Sequence, residues 1–259
     1  MDLRKQDSSS FLLPEVRPKA SPAEKPTKFG RLTKFKHVTG KPLHKSQHFD
    51  NLNNLSKSSS TESDIFQVNL TRIAVPLGGP GGKVAVFDLK NCGRIPDGVT
   101  PCLINGTNLL DFAWDPFDDS RLVCGLEDGS ITVWRIPLDG LEESSNEPEM
   151  RLKSAHSDKV TIVKFNPLAS GIVATAGYDL LVNIRNLSAG DAKDSIVLTG
   201  HEDQIYSLAW SLCGRFLATA CKDGKLRLFL CADLLSNAKC SGSSNPVRRR
   251  SRLLWEERS

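Results

Sequence analysis

The sequence lacks the features of membrane-spanning and of disulfide-stabilised secreted proteins. No apolar run approaches the roughly 18 residues of a transmembrane helix, and residues 1–7 contain no signal-peptide core. The seven cysteines, at positions 92, 102, 124, 213, 221, 231 and 240, form no Cys-x-x-Cys pair and no even framework. We therefore expect free or buried thiols in a reducing compartment, with neither a bound metal nor a transmembrane segment.

A basic groove for nucleic acid is also missing. The net charge is +4, but the excess of lysine and arginine lies near the two ends of the chain, and the region between them is close to neutral. Four arginines near the carboxyl end, Arg248, Arg249, Arg250 and Arg252, account for much of it. We expect no nucleic-acid partner.

The glycine-rich stretch 78–82, followed by Lys83, does not form a phosphate-binding loop. A Walker loop requires the pattern G-x-x-x-x-G-K-[ST] at the start of a helix, whereas here Pro80 interrupts the glycines and an apolar strand follows Lys83. We interpret the stretch as a hairpin turn, and we expect no cofactor.

Residues 108–229 contain one pattern three times. Each copy has an alternating strand that ends in an aromatic residue, a second strand, a tight acidic turn and a third strand. The first strands contain residues 111–114, 160–165 and 205–210, and the turn aspartates are Asp128, Asp179 and Asp223. The aspartates are separated by 179 − 128 = 51 and 223 − 179 = 44 residues, close to the roughly 40–45 residues of a four-stranded propeller blade. Each such sheet must pack against the next to bury both faces. The pattern therefore predicts an all-β propeller.

We expect four blades, at about 64–105, 108–150, 156–198 and 201–235, within a domain that covers residues 31–235. Residues 1–30 are rich in proline, serine and charge, which predicts a disordered tail. Residues 236–259 are predicted to form a basic tail.

The repeat resembles the WD-repeat family, in which a histidine, a hydroxyl residue, the turn aspartate and a tryptophan form a hydrogen-bonded relay within each blade. That resemblance implies relays of His156, Thr175 and Asp179 and of His201, Thr219 and Asp223, with Arg185 and Phe229 at the tryptophan positions. The first copy keeps Asp128 and Trp134 but has Cys124 at the hydroxyl position and no histidine near Thr107. Because the relays recur at the blade period, we interpret them as structural and not catalytic.

Further motifs resemble the coronin family of WD-repeat proteins. They are the basic-aromatic stretch 34–40, the Gly93-Arg94-Ile95 link and the Ile-Pro-x-x-Gly-Leu link at 136–141. Residues 111–118 and 203–210 are most similar to the second propeller of the tandem-propeller branch, the coronin-seven type. Propellers of the family have seven blades, so we expect an incomplete ring of about four blades and a piece of a longer protein.

The coronin resemblance implies a non-enzymatic scaffold that binds actin filaments and acts in Golgi and post-Golgi vesicle transport. It implies a cytoplasmic protein, with possible peripheral association with Golgi membranes and vesicles and with trafficking proteins as partners. However, Asn53 occupies the place of an arginine associated with filament binding, and the acidic carboxyl-terminal tail of the tandem-propeller branch has no counterpart.

Two alternatives remain at this point. One is a WD-repeat adaptor in a ubiquitin-ligase or trafficking complex without actin contact. The other is a hydrolase that uses His201 and Asp223, which would require both groups to be open to solvent in a pocket. Candidate partner-binding residues are those of the loops and turns beside the repeats: Asp115, Asp118, Asp119, Glu127, Tyr178, Asp203 and Lys222.

Overall fold

The computed structural model describes residues 40–56, 63–64, 66–188, 195–231 and 240–243. The predicted disordered tail 1–30 and the basic-aromatic stretch up to residue 39 lie outside the described residues, as does most of the predicted basic tail. The chain divides into two units, Met1–Pro42 and Leu43–Ser259. The described residues of the first unit, 40–42, have no regular structure, and the following description concerns the second unit.

Four antiparallel four-stranded sheets follow one another along the described residues, as the repeat predicts. We call them blades 1 to 4. Blade 1 consists of β2 (Gln67–Val68), β3 (Arg72–Pro76), β4 (Lys83–Asp88) and β6 (Cys102–Ile104), and blade 2 of β7 (Leu109–Asp115), β8 (Asp118–Leu126), β9 (Ile131–Arg135) and β10 (Met150–Leu152). Blade 3 consists of β11 (Val160–Phe165), β12 (Ile172–Gly177), β13 (Val182–Asn186) and β14 (Ser195–Leu198), and blade 4 of β15 (Ile205–Trp210), β16 (Phe216–Cys221), β17 (Leu226–Leu230) and β18 (Cys240–Ser243).

A short segment before blade 1 contains a 3-10 turn at Lys45–Gln47 and the strand β1 (Phe49–Asp50), which pairs in parallel with β5 (Gly93–Arg94). The all-β propeller fold is confirmed. The boundaries differ in two places. The strand β10 ends at Leu152, beyond the predicted end of its blade at residue 150. The strand β18 pairs with β17 beyond residue 235, the predicted end of blade 4. The sequence did not predict β18 because residues 240–243 are small and polar and have no alternating apolar pattern.

The core lies between the blades. On blade 3, Ile162, Ala174 and Ile184 face blade 4, where Trp210 and Phe229 belong to the same buried cluster. Equivalent clusters join blade 1 to blade 2 and blade 2 to blade 3. The period-two alternation of each strand places its apolar residues on these shared faces, so burial between neighbours stabilises the whole array.

Repeated polar contacts set the spacing of the blades. The indole of Trp114 in blade 2 donates to Gln67 O of blade 1 at 3.3 Å, and that of Trp210 in blade 4 donates to Lys164 O of blade 3 at 3.2 Å. These two tryptophans occupy the same position in their repeats, at the end of the innermost strand. The aromatic residue of the pattern therefore contributes both apolar area and an inter-blade hydrogen bond.

One buried carboxylate joins blades 2 and 3. Asp111 on β7 is 1% exposed and accepts hydrogen bonds from the Val163 backbone N–H at 2.7 Å and from the Ser63 hydroxyl at 2.8 Å. Burial raises its pKa to about 6, although both hydrogen bonds and the charge of Lys164 oppose that change.

Within the described residues, the structure contains no helix of the length and apolar character needed to cross a membrane.

Candidate functional site

The residues of the blade 3 relay lie together. His156 precedes β11, Thr175 lies on β12, and Asp179 lies in the turn before β13. The His156 Nδ1 lies 3.0 Å from both Asp179 oxygens, and Nε2 lies 2.9 Å from the Thr175 hydroxyl. Since an ionised carboxylate only accepts, Nδ1 donates and Nε2 accepts from Thr175. Burial lowers the pKa of His156 below its ordinary value, although the hydrogen bond and the charge of Asp179 act in the opposite direction.

Blade 4 has the same three residue types but a different pairing. His201 Nε2 lies 2.9 Å from the Thr219 hydroxyl, as in blade 3. The carboxylate of Asp223 is instead bound by the Arg227 guanidinium, with Nη2 donating at 2.6 Å. Burial and then the charge of Arg227 lower the pKa of His201 to about 4. Burial alone would raise the pKa of Asp223, but the Arg227 hydrogen bond and others lower it overall.

Blade 2 contains a polar network that the sequence did not reveal to us. Asn105 is fully buried, and its Oδ1 accepts from the Trp134 indole at 2.8 Å and from the Thr132 hydroxyl at 2.5 Å. Its amide donates to Gly82 O at 2.6 Å. Asn105 thus occupies the position of the histidine. The sequence feature that could have identified Asn105 is its distance from the next strand. Asn105, His156 and His201 each lie four residues before the first residue of an innermost strand.

The other predicted members of this blade are placed differently. Asp128 accepts from the backbone and hydroxyl of Ser130 within its own turn, at 3.0 and 2.5 Å. Cys124 is buried beside the Asn105 network, and desolvation raises the pKa of its thiol to about 12. A thiol held in that state is not a nucleophile at neutral pH.

The histidine relays of blades 3 and 4 are packed between strands. His201 is 7% exposed, and the Asp223 side chain is 5% exposed and paired with Arg227. The hydrolase alternative required both groups to be open to solvent, so this geometry contradicts it. The described residues also contain no group of three or more His, Cys, Asp or Glu side chains placed to hold a metal ion.

The candidate contact residues divide between the two ends of the blades. Glu127, Tyr178 and Lys222 precede the turns between second and third strands, and Asp203 precedes the first strand of blade 4. At this end the backbone N–H groups of Glu127, Tyr178 and Lys222 donate to the loop before the innermost strand of their own blade, at 2.8–2.9 Å. Their side chains remain at the surface, where Glu127 pairs with Lys159 and Lys222 with Asp203.

The other three candidates lie at the opposite end, beside the turn between β7 and β8: Asp115 ends β7, and Asp118 and Asp119 begin β8. Asp118 pairs with Arg135 at 3.0 Å, and Asp119 lies next to it. Asp115, however, has a fully buried carboxylate that accepts from the Phe117 N–H at 2.8 Å and pairs with Arg121 at 3.3 Å. Its expected role as a surface contact is contradicted, because the turn folds back over the side chain.

The segment that contains Asn53 lies against blade 1. The ring centroids of Phe49 and Phe87 lie 5.7 Å apart, and Gly78 N donates to Asn54 O at 2.8 Å. Asn51 has a positive φ of 72° and donates through its amide to Ile95 O at 2.9 Å. Asn53 is exposed and bonds to the Asn51 side chain. The Asn53 side chain therefore lies at the surface of this segment.

Two family models match the sequence. One is described as a domain of unknown function, DUF1899, and matches residues 28–94; the other is the WD domain, G-beta repeat, and matches residues 193–229. The first match includes Asn53 and most of blade 1, and the second lies in blades 3 and 4.

Full-length proteins of known family are similar over most of the chain. Coronin-7 of Homo sapiens is 46% identical over 200 residues, which is 77% of this chain and 21% of coronin-7. Coronin-2A of Homo sapiens is 33% identical over 205 residues, covering 76% of this chain and 38% of that protein. The coronin-like protein of Saccharomyces cerevisiae is 30% identical over 211 residues, or 78% and 32% of the two chains.

A solved structure shows the same architecture. The WD40 domain of Toxoplasma gondii coronin superposes with a TM-score of 0.61 and 26% identity, over 68% of this chain and 44% of that one. The chain therefore spans about a fifth of the length of coronin-7 and less than half of the solved propeller. Together with the four blades, these similarities show that the chain belongs to the coronin family of WD-repeat proteins.

Proposed function

We propose that the chain is a non-catalytic binding scaffold that contacts actin filaments through the surface of blade 1 around Asn53. The observation that carries the proposal is the exposure of Asn53, Asn54 and Leu55 within the segment 28–94 that matches the DUF1899 family model. The segment is anchored by β1, by the Phe49 ring and by backbone hydrogen bonds, so its outer side chains are presented on a rigid support.

Cytoplasmic location and a role in Golgi and post-Golgi vesicle transport belong to the same proposal, as does peripheral association with those membranes. They are supported by the 46% identity to coronin-7 and by the resemblance to the tandem-propeller branch.

An actin co-sedimentation assay tests the filament contact. Because Asn53 is neutral where the family has an arginine, we expect weak pelleting of the chain and stronger pelleting of Asn53→Arg. An exposed charge contact contributes about 0.2–1 kcal/mol, so the gain should be up to about fivefold in affinity and should decline with salt. Asn54→Arg is the matched control, since Asn54 is also exposed but has its backbone and side chain turned toward Gly78.

The adaptor without actin contact is favoured by one observation, the missing positive charge at position 53. It predicts no pelleting at physiological salt for either variant. Equal pelleting of Asn53→Arg and Asn54→Arg would show that added charge alone binds filaments, and would contradict a specific role for this position.

A further inference from the structure

A groove with an apolar floor and an acidic rim lies between the outer edges of blades 1 and 2. It has a volume of about 450 Å³. Its floor is formed by Leu103 of β6, Trp134 of β9 and two residues of the loop between β9 and β10, Pro137 and Leu141. The groove lies near Asp118, which pairs with Arg135 of the groove lining at 3.0 Å.

The loop that forms one wall is held at both ends. The buried guanidinium of Arg72 donates to Pro137 O at 2.5 Å and to Leu138 O at 3.2 Å, while it pairs with Asp88 at 3.0 Å. Farther along, Ser145 N donates to Cys102 O at 3.0 Å and Ile104 N donates to Ser145 O at 2.8 Å. The loop is therefore a preformed arch beside β6, which lowers the entropy cost of binding a ligand there.

The rim carries four carboxylates, those of Asp139, Glu142, Glu143 and Glu147. In the described part of the chain, no cationic side chain forms an ion pair with any of the four. Arg135, which also lines the groove, is already shared between Asp118 at 3.0 Å and Glu149 at 3.2 Å. Glu202, an exposed carboxylate on blade 4, is by contrast paired with Lys225 at 2.7 Å.

A neighbouring cavity of about 550 Å³ lies on the other side of the same loop, but its charges are mixed. It contains Arg72 and Lys90 together with Asp88, Asp118 and Asp119. Asp139 lines both cavities, but Glu142, Glu143 and Glu147 line only the smaller groove, where Arg135 is the one cationic lining residue. Charge complementarity then selects a cationic ligand, and the apolar floor selects one with large aliphatic or aromatic side chains.

We propose that this groove binds a peptide segment of a partner protein in which several arginines or lysines stand beside leucine or tryptophan. The basic side chains pair with the rim carboxylates, and an apolar side chain covers Pro137 and Leu141. Arginine is suited to such a site because its guanidinium bonds carboxylates in a bidentate manner and is only weakly hydrated.

Fluorescence anisotropy of the full chain with a labelled nonapeptide of four arginines, two leucines and one tryptophan tests the proposal. We expect saturable binding that weakens with salt. Glu142→Gln/Glu143→Gln/Glu147→Gln should lower the affinity about tenfold, since three exposed ion pairs each contribute a factor of about two to five. All three residues are exposed, so the substitutions leave the fold unchanged. Unchanged melting and far-ultraviolet circular dichroism verify this.

The matched control is Asp158→Asn/Glu202→Gln/Asp203→Asn, which removes three acidic charges from loops of blades 3 and 4. It should change the affinity less than twofold. Equal losses in the two triple variants, or equal binding of a peptide with serine in place of leucine and tryptophan, would overturn the proposal in favour of non-specific attraction.

The chain itself carries a segment of this composition at residues 247–255. Replacing Arg248, Arg249, Arg250 and Arg252 by alanine should leave peptide affinity unchanged. An increase of severalfold would identify this segment as the occupant and overturn the assignment to a partner. Actin pelleting is independent of these measurements, so either proposal can fail without the other.

Discussion

Replacing Asp111 by asparagine should make the protein more stable at neutral pH relative to acidic pH. The Asp111 carboxylate lies between blades 2 and 3 and is 1% exposed. Asparagine keeps the shape, its carbonyl can accept from the Val163 N–H, and the Ser63 hydroxyl can rotate to accept from its amide. The substitution therefore removes a buried charge with little change in packing.

The magnitude follows from the pKa of the buried carboxyl. Burial raises that pKa from 3.8 to about 6, and each unit corresponds to about 1.4 kcal/mol, so the ionised form costs about 3 kcal/mol at pH 7. The folded-state pKa is above the unfolded value. The contribution of the protonated Asp111 to the unfolding free energy is therefore fully present below pH 3.8 and is lost as the pH rises through 6.

Urea denaturation at several pH values between 4 and 7.5, followed by tryptophan fluorescence, measures the effect. The difference in unfolding free energy between Asp111→Asn and the unmodified chain should rise with pH by about 2.5 kcal/mol across this window, because a small part of the change lies below pH 4. Glu127→Gln should show the opposite sign, because hydrogen bonds from Lys159 and then Asn108 lower the pKa of Glu127. A difference for Asp111→Asn that does not vary with pH would refute the reasoning.

Two further predictions concern the relays and the thiols. His156→Ala should lower the unfolding free energy in urea by about 2–4 kcal/mol, because the buried Asp179 loses its side-chain donor and keeps only the backbone N–H groups of Ser157 and Leu181. His201→Ala should cost less, because Arg227 already binds the turn carboxylate of blade 4. Equal losses would contradict this assignment. Cys213 should react with iodoacetamide at pH 7.5 much faster than Cys124. Hydrogen bonding, first from Ser211, lowers the pKa of Cys213 to about 7, whereas burial raises the pKa of Cys124 to about 12. Mass spectrometry of the modified peptides gives the two rates, and equal labelling of the two thiols would contradict this prediction.

The blades could be predicted from sequence because their signal is repeated. Alternating strands, a terminal aromatic and an acidic turn recur at a fixed period, and each recurrence reduces the chance that the pattern is accidental. The outermost strand β18 was missed because an edge strand needs backbone pairing with β17 but no apolar pattern of its own. The burial of Asp115 was missed because a loop aspartate has the same sequence signal whether its carboxylate faces solvent or the Phe117 N–H.

The candidate site depends on pairings that the sequence pattern leaves open. His156 and His201 occupy equivalent positions, but one binds the turn aspartate and the other does not, because Arg227 replaces Asn183 at the matching position of the third strand. Asn105 shows the converse, since a different residue type satisfies the same buried position in blade 2. A buried polar position requires only that its donors and acceptors be matched. The repeat therefore specifies the fold. The residues that complete each network and border each groove depend instead on neighbours far away in sequence. The hydrogen bonds from Arg72 to Pro137 O and Leu138 O, at the wall of the acidic groove, are an example.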